Sequence, residues 1–204
     1  MTLRLEHTVT SGTFSLDGGT WEVDNNVWVL GNDSECLVID APHDAAPIIE
    51  LVGGRRVSAV VCTHAHDDHI TVARELSVAL RAPVLLHPDD NVLWRQTYPD
   101  FGYGQLSDGE QLTVAGSPVT VLHTPGHSPG AVCLLVPDLN AVFTGDTLFH
   151  GGPGATGRSF SDRDTIIASI RDRLLTLPGR TVVHTGHGAD TTIDAERASF
   201  ADQV

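Results

Sequence analysis

The 204 residues are 41% hydrophobic and 19% charged, enough chain for one compact domain with a real core and the wrong balance for a disordered polymer. Asp and Glu number 26 against 12 Lys and Arg, and the resulting formal charge of −14 repels phosphate backbones; with Arg55-Arg56 the densest basic pair, no nucleic-acid partner is expected. No stretch approaches the ~20 apolar residues of a membrane helix, and the opening MTLRLEHTVTSG lacks the apolar core of a secretory signal, so a cytoplasmic location without a membrane partner is the expectation.

Along the chain, short strands are expected at 13–16, 27–30 and 36–39, separated by Gly-Gly and Gly-Asn-Asp turn signals. Residues 42–52 have helical character, opened by Pro42 and closed by Gly53-Gly54. A buried strand follows at 57–62, then a helix over 69–80 with Val72, Ala73, Leu76, Ala79 and Leu80 on one face. Another strand is expected at 83–86. The segment 91–104, rich in aromatics (Trp94, Tyr98, Phe101, Tyr103), fits no regular pattern. Strands come next at 111–114, 119–122, 132–136 and 141–143, then an amphipathic helix at 164–175, a strand at 181–184 and a closing helix at 192–202. Without repeats or linkers, 1–204 reads as a single domain of helices packed on sheets, with two strand-rich halves.

Cys36, Cys62 and Cys133 each lie inside an apolar run, and an odd, widely spaced set argues against disulfides; they read as small buried hydrophobes. Histidine is the unusual component, with eleven residues, mostly at the ends of apolar runs. VSAVVCT runs into His64, VTVLHTPG into His127, AVFTG into Asp146 and TVVHTG into His187. In layered sheet folds, groups at the same ends of neighbouring strands converge on one rim, where ligand sites form. Four such endings with metal-competent donors are a poor match to chance.

The densest cluster is Thr63-His64-Ala65-His66-Asp67-Asp68-His69. His64 and His66 are two apart, so extended backbone points both imidazoles to one side. Asp68 and His69 follow where the chain turns into its helix and aim at a neighbouring point, which suggests one metal for each pair. A lone histidine here reads as a satisfied, half-buried side chain. Three histidines and two aspartates within six residues instead need a compensating cation. Imidazole and carboxylate donors suit zinc, and also iron or manganese.

The cluster matches the THxHxDH signature of the metallo-β-lactamase fold superfamily, and His127 (TPGHSPG), Asp146 (FTGDTLF) and His187 (TGHG) follow in that superfamily's order and spacing. The resemblance spans roughly residues 27–197. It implies an α/β fold, a four-layer αββα sandwich of two mixed sheets with the site at one edge. It further implies two divalent metal ions: one on His64, His66 and His127, the other on Asp68, His69 and His187, with Asp146 bridging both. Asp68 and Asp146 are the catalytic candidates. Asp40, closing the strand CLVID, would orient a ligand histidine, although a turn or cap aspartate before Pro42 reads nearly as well.

The residues around Asp146 and His187 resemble glyoxalase II and its relatives, which implies a hydrolase of small-molecule thioesters or esters working through metal-bound hydroxide. β-Lactamases of the commonest subclass carry Cys where this chain has Asp146, so antibiotic hydrolysis is not expected. Glyoxalase II binds glutathione partly through a helical C-terminal extension, whereas 17 residues follow His187 here, and that route is expected to be absent. The stretch GTFSLDGGTWEVDNNVWVL is similar to actinobacterial members associated with mycothiol, which extends the expectation to S-acyl or S-formyl mycothiol. Two rivals remain open: a mononuclear iron persulfide dioxygenase using His64, His127 and Asp146, and a non-enzymatic metal-binding module. For substrate contacts, Arg158 in the Gly-rich segment after Asp146 is a candidate for a substrate carboxylate, unless it pairs with Asp162 or Asp164. Tyr103 and its aromatic neighbours are candidates for an apolar lid, unless they form a satellite core. His123 and His150 lie near ligands in sequence but outside the ligand pattern.

Overall fold

In the computed structural model, which describes residues 2–201, the alternation of strand side chains sorts them into separate cores. Two strands, β1 (Arg4–Leu16) and β2 (Gly19–Gly31), form a long hairpin. β3 (Glu35–Ile39), β4 (Arg56–Val61), β5 (Val84–Leu86) and β6 (Gly104–Gln105) extend it into a six-stranded sheet in chain order, antiparallel through β3 and parallel beyond. Between them lie α1 (Ala45–Val52), α2 (Asp67–Ile70), α3 (Ala73–Leu80) and α4 (Asn91–Thr97). The second sheet uses β7 (Gln111–Val114), β8 (Ser117–His123), β9 (Val132–Val136) and β10 (Ala141–Gly145). A short ribbon of β11 (Leu148–Phe149) and β12 (Gly152–Pro153) follows, then α5 (Arg163–Ser169), which ends in a π-helical turn over Ile170–Leu174. β13 (Val182–Thr185), β14 (Thr191–Thr192) and α6 (Ile193–Ala201) complete the chain, and the second sheet runs β14-β13-β10-β9-β8-β7.

Odd and even positions of β2 face opposite cores. Val27 and Val29 join Cys36, Val38 and Val60 against Ile48 of α1, Leu76 of α3 and Trp94 of α4. Trp28 and Leu30 join Leu37, Ile39 and Val61 in a layer between the sheets, meeting Val121, Leu134 and Phe143. On the far side of the second sheet, Val142 and Val183 pack on Ile166 of α5, Ile170 and Ile193. Helix, sheet, sheet, helix: these three apolar layers make the αββα sandwich expected from the motifs. All three cysteines are free and buried, and burial pushes the Cys133 thiol up to about 11.

Five elements differ from the pattern-based expectation. The first two strands run for 13 residues each, far past 13–16 and 27–30, because one flank of each is Ser, Thr and charged residues facing solvent. Their turn is Asp17-Gly18, both at positive φ, as a two-residue hairpin turn requires. The first helix starts at Ala45 and not at Pro42; Asp44 caps it, accepting from the Ala46 amide at 2.9 Å. The expected helix over 69–80 is broken at Thr71 and Val72. The Ala41 amide takes the His69 carbonyl at 2.9 Å, and the Ala41 carbonyl takes the Val72 amide at 3.0 Å, so the β3–α1 connection replaces two helical bonds. Finally, 91–97 is helical, held by Trp94, which is fully buried and donates its indole N–H to the Phe101 carbonyl at 2.8 Å. Among the described residues no helix is long and apolar enough to cross a membrane. The last expected helical residue, Asp202, lies outside the described residues.

Leu134 is fully buried between the sheets. Leu134→Ala is expected to lower the unfolding free energy by about 2–5 kcal/mol, measured by urea denaturation followed by far-UV circular dichroism.

Candidate metal centre

The strand ends meet at one edge of the sandwich. Asp40 follows β3 at φ 65°, a strained conformation that turns its carboxylate back over the end of β4. There its Oδ1 accepts the Thr63 amide at 2.7 Å, and its Oδ2 accepts the Thr63 hydroxyl and His69 Nδ1, both at 2.9 Å. One carboxylate thereby fixes the start of the His64–His69 segment and the orientation of the His69 ring. With Nδ1 engaged, Nε2 of His69 is left facing the site.

Two triads result. In the first, His66 Nδ1 stands 3.0 Å from His64 Nε2 and 2.9 Å from His127 Nε2. In the second, His187 Nε2 stands 3.2 Å from His69 Nε2 and 3.3 Å from Asp68 Oδ2. Asp146, just past β10, reaches both: its Oδ1 is 3.3 Å from His69 Nε2, while its Oδ2 is 3.5 Å from His127 Nε2 and 3.4 Å from His187 Nε2. Each triad's donor atoms fall within 4.8 Å of one another. Nitrogen donors so close, facing one another, lack enough protons to satisfy every pair, and a cation resolves that conflict. Asp146 Oδ1 is buried with no hydrogen-bond partner, a further sign that the donor set fits a metal pair.

The opposite edges of the His127 and His187 rings are occupied, as that of His69 is by Asp40, which fixes their tautomers. His127 Nδ1 donates to the Ala155 carbonyl at 2.9 Å, and His187 Nδ1 to the Asp24 carbonyl at 2.7 Å. Two supports were not foreseen in the sequence. Asn25 Nδ2 donates to Asp68 Oδ2 at 3.0 Å, and its Oδ1 is held by His43 Nε2 at 2.7 Å. Asp90 is wholly buried and accepts from the Ala65 amide and the Ser128 hydroxyl, each at 2.8 Å, and from the Gly130 amide at 2.5 Å. It ties the His66 loop to the His127 loop. Gly186 lets the His187 turn approach closely, since a Cβ there would stand 2.3 Å from Asp146 Oδ1 and 2.8 Å from His69 Cε1.

Electrostatics divide the ring set. Burial, reinforced by the neighbouring imidazoles, holds His64 well below its ordinary value; burial and then His127 bring His66 down to about 3. Burial works in the same sense on His69 and His187, but there the carboxylates win. Asp146, Asp68 and Asp40 hold His69 well above its usual value, and Asp146 and Asp68 bring His187 up to about 10. Burial opposes ionisation of Asp146 and Asp68 too, yet His69 and His187 keep both below the usual carboxylate range. The metal-free site therefore carries protons on its second triad, standing where cations would stand.

The family profile described as the metallo-beta-lactamase superfamily matches residues 20–187, the span that holds all seven donors. The chain belongs to this superfamily. Among its relatives, the Bacillus subtilis protein named "Probable metallo-hydrolase YqgX" is 33% identical over 183 residues, 81% of this chain and 86% of that one. The hydroxyacylglutathione hydrolase GloC of Haemophilus influenzae is 28% identical over 184 residues, covering 82% and 87%. The crystal structure of TTHA1623 in a di-iron-bound form is 32% identical, covers 87% of this chain and 94% of that one, and gives a TM-score of 0.78. The clusters and this di-iron neighbour together support a dinuclear metal site in this chain.

Beyond the donors lies a cleft of about 470 Å³, walled by Phe14, Trp21 and Val23 of the hairpin, Phe149, and Arg158 and Ser161 of the following loop. Arg158 forms no ion pair with Asp162 or Asp164; Asp162 instead caps α5, accepting the Thr165 amide at 2.7 Å. Tyr103 does not line this cleft. Its ring lies edge-on to Trp94 at 5.1 Å and its hydroxyl donates to Asn91 Oδ1 at 3.2 Å, so the four aromatics form the satellite core and not a lid. His123 belongs to another group, stacked on His87 at 3.9 Å with Asp89 nearby.

Two outcomes test this geometry. Gly186→Ala, which pushes on both Asp146 and His69, should reduce bound metal below two ions per chain by elemental analysis, with far-UV circular dichroism unchanged. Loading the metal-free protein with zinc at pH 7 should release about two to three protons, one each from His69 and His187 as they coordinate and up to one more as bound water ionises; calorimetry in buffers of different ionisation enthalpy reads this directly.

Proposed function

We propose that the chain is a dinuclear metal-dependent hydrolase that cleaves small-molecule thioesters or esters. The observation that carries the proposal is Asp146, whose two oxygens face both triads at once. His64, His66 and His127 would hold one ion; Asp68, His69 and His187 would hold the other. Zinc is the first expectation, and the same donors accept iron or manganese. Ions held there would supply hydroxide near neutral pH and would polarise a carbonyl oxygen.

The chain's own groups do the rest. Asp40 and Asn25 keep His69 and Asp68 from turning away. Asp68 lines the cleft, which supports it as the carboxylate that would take up the proton lost by the attacking water. Phe14, Trp21 and Phe149 exclude solvent around the scissile group. A thiolate leaves without protonation, so thioesters ask less of the site than alkyl esters do. The likeness to GloC supports an acyl thioester of a small thiol, and mycothiol esters belong in the same panel. A persulfide dioxygenase would need one ion only, and the complete second triad favours two.

The expected result is hydrolysis of small thioesters by protein holding two ions per chain, lost at least a hundredfold on dialysis against a strong chelator and restored by divalent metal. Turnover that survives chelation would sink the proposal, as would oxygen consumption with a persulfide and no thioester cleavage.

A further inference from the structure

His187 sits between two glycines, Gly186 and Gly188, the latter at φ 69°. Glycine loses more conformational freedom on ordering than any other residue, so an imidazole on such a turn keeps its place only if the backbone is tied down. Asn26 of β2, a buried residue, does the tying. Its backbone amide donates to the Gly186 carbonyl at 2.8 Å. Its side-chain Nδ2 donates to the carbonyls of Thr185 and Gly188, each at 3.0 Å. These bonds engage both amide hydrogens and leave Oδ1 pointing the other way. There it accepts from Nε2 of His7 in β1 at 2.9 Å, and the His7 ring is stacked on Trp28 at 4.2 Å. Thr185 completes the brace, donating its hydroxyl to the His187 carbonyl at 2.7 Å.

The brace serves one triad. Asp24, Asn25 and Asn26 are consecutive, and all three act on the second set of donors. The Asp24 carbonyl accepts from His187 Nδ1 at 2.7 Å, Asn25 donates to Asp68 Oδ2 at 3.0 Å, and Asn26 spans the His187 turn. Among the described residues, none of the three bonds to His64, His66 or His127. The loops carrying those rings are held instead by Asp90 and the Ala155 carbonyl. The two triads share Asp146 but stand on separate supports.

We infer that Asn26 is the positioning residue of the His187 turn, and that through it the chain sets how firmly the ion of the second triad is held. The first triad keeps its own support, so the two ions are lost independently. Residues that orient a ligand from behind change metal affinity by about ten- to a hundredfold. The passage from a two-ion to a one-ion protein then runs through one buried side chain, whose far end is steered by His7 at the protein surface.

The inference rests on the dinuclear reading of the site, and two measurements separate their failures. In the first, metal-free protein is titrated with cobalt(II), and the visible absorption of the bound ion resolves the binding steps. His187→Ala, which removes a donor of the second triad, marks the step that belongs to it. Asn26→Leu, similar in shape but with no hydrogens to give, is expected to weaken that same step by about ten- to a hundredfold and leave the other unchanged. His7→Phe keeps the stack on Trp28 and should weaken that step less, while His7→Gln, still able to donate to Asn26 Oδ1, should restore it. Leu76→Ala, which destabilises the core behind the first sheet, should move neither step. In the second, hydrogen exchange of the Gly186 amide is followed by NMR in metal-free protein. That amide donates to the Gly145 carbonyl at 2.9 Å, and Asn26→Leu should speed its exchange at least tenfold, an estimate on the order of one lost buried hydrogen bond. Faster exchange in the variant, together with a wild-type protein that takes up a single ion, would sustain the role of Asn26 and remove the dinuclear reading. Equal weakening of both steps by Asn26→Leu, or unchanged binding with unchanged exchange, would overturn the inference.

Discussion

Five imidazoles and two carboxylates share a space largely closed to water, and they cannot all be satisfied by one another. His64 and His66 are driven neutral by burial, while His69 and His187 are held protonated by Asp146 and Asp68. Protons serve as a partial substitute for cations, and two divalent ions would balance the same donors more completely. The rest of the site follows from that demand. Asp40, Asn25, and the Ala155 and Asp24 carbonyls each occupy the far side of a donor, leaving its lone pair for the metal.

The sandwich supplies the positions. β3, β4, β10 and β13 each end at the same edge, and each hands on a residue that cannot stay in a sheet: Asp40, His64, Asp146, His187. Sheet registry fixes where those ends lie, and the apolar layer of Trp28, Leu134 and Phe143 fixes one sheet against the other. Packing far from the site therefore sets the separation of the two triads. Trp28 makes the link explicit, since its indole N–H donates to the Thr185 carbonyl at 3.1 Å, two residues before His187.

Much of this was legible in the sequence. The seven donors announce themselves because their spacing is dictated by coordination chemistry, and the apolar strands because burial forces period-two patterns. The long hairpin was half hidden: past its buried stretch, residues such as Thr8, Thr10 and Ser11 on one strand and Glu22 and Asp24 on the other have no hydrophobic period to betray them. The break in the 69–80 helix was invisible because its cause, the Ala41 backbone, is thirty residues away. Asn25 and Asp90 escaped for the same reason. A lone Asn or Asp looks like any turn residue until the partners gathered from distant segments are known. For Tyr103 the choice stayed open because aromatic content alone does not tell a lid from a small core; Trp94, fully buried, decides it.

The donors are spread from His64 to His187, and the Asp146 and His187 contributions come from the second sheet alone. During synthesis, a nascent chain exposing only its first hundred residues would offer the early HxHxDH cluster with no bridging carboxylate and no closing imidazole. Metal capture at full strength must therefore wait until the chain has emerged past His187 and its two halves have docked. Loading becomes a late checkpoint of maturation, and a truncated or misdocked product would reveal itself by weak, exchangeable metal.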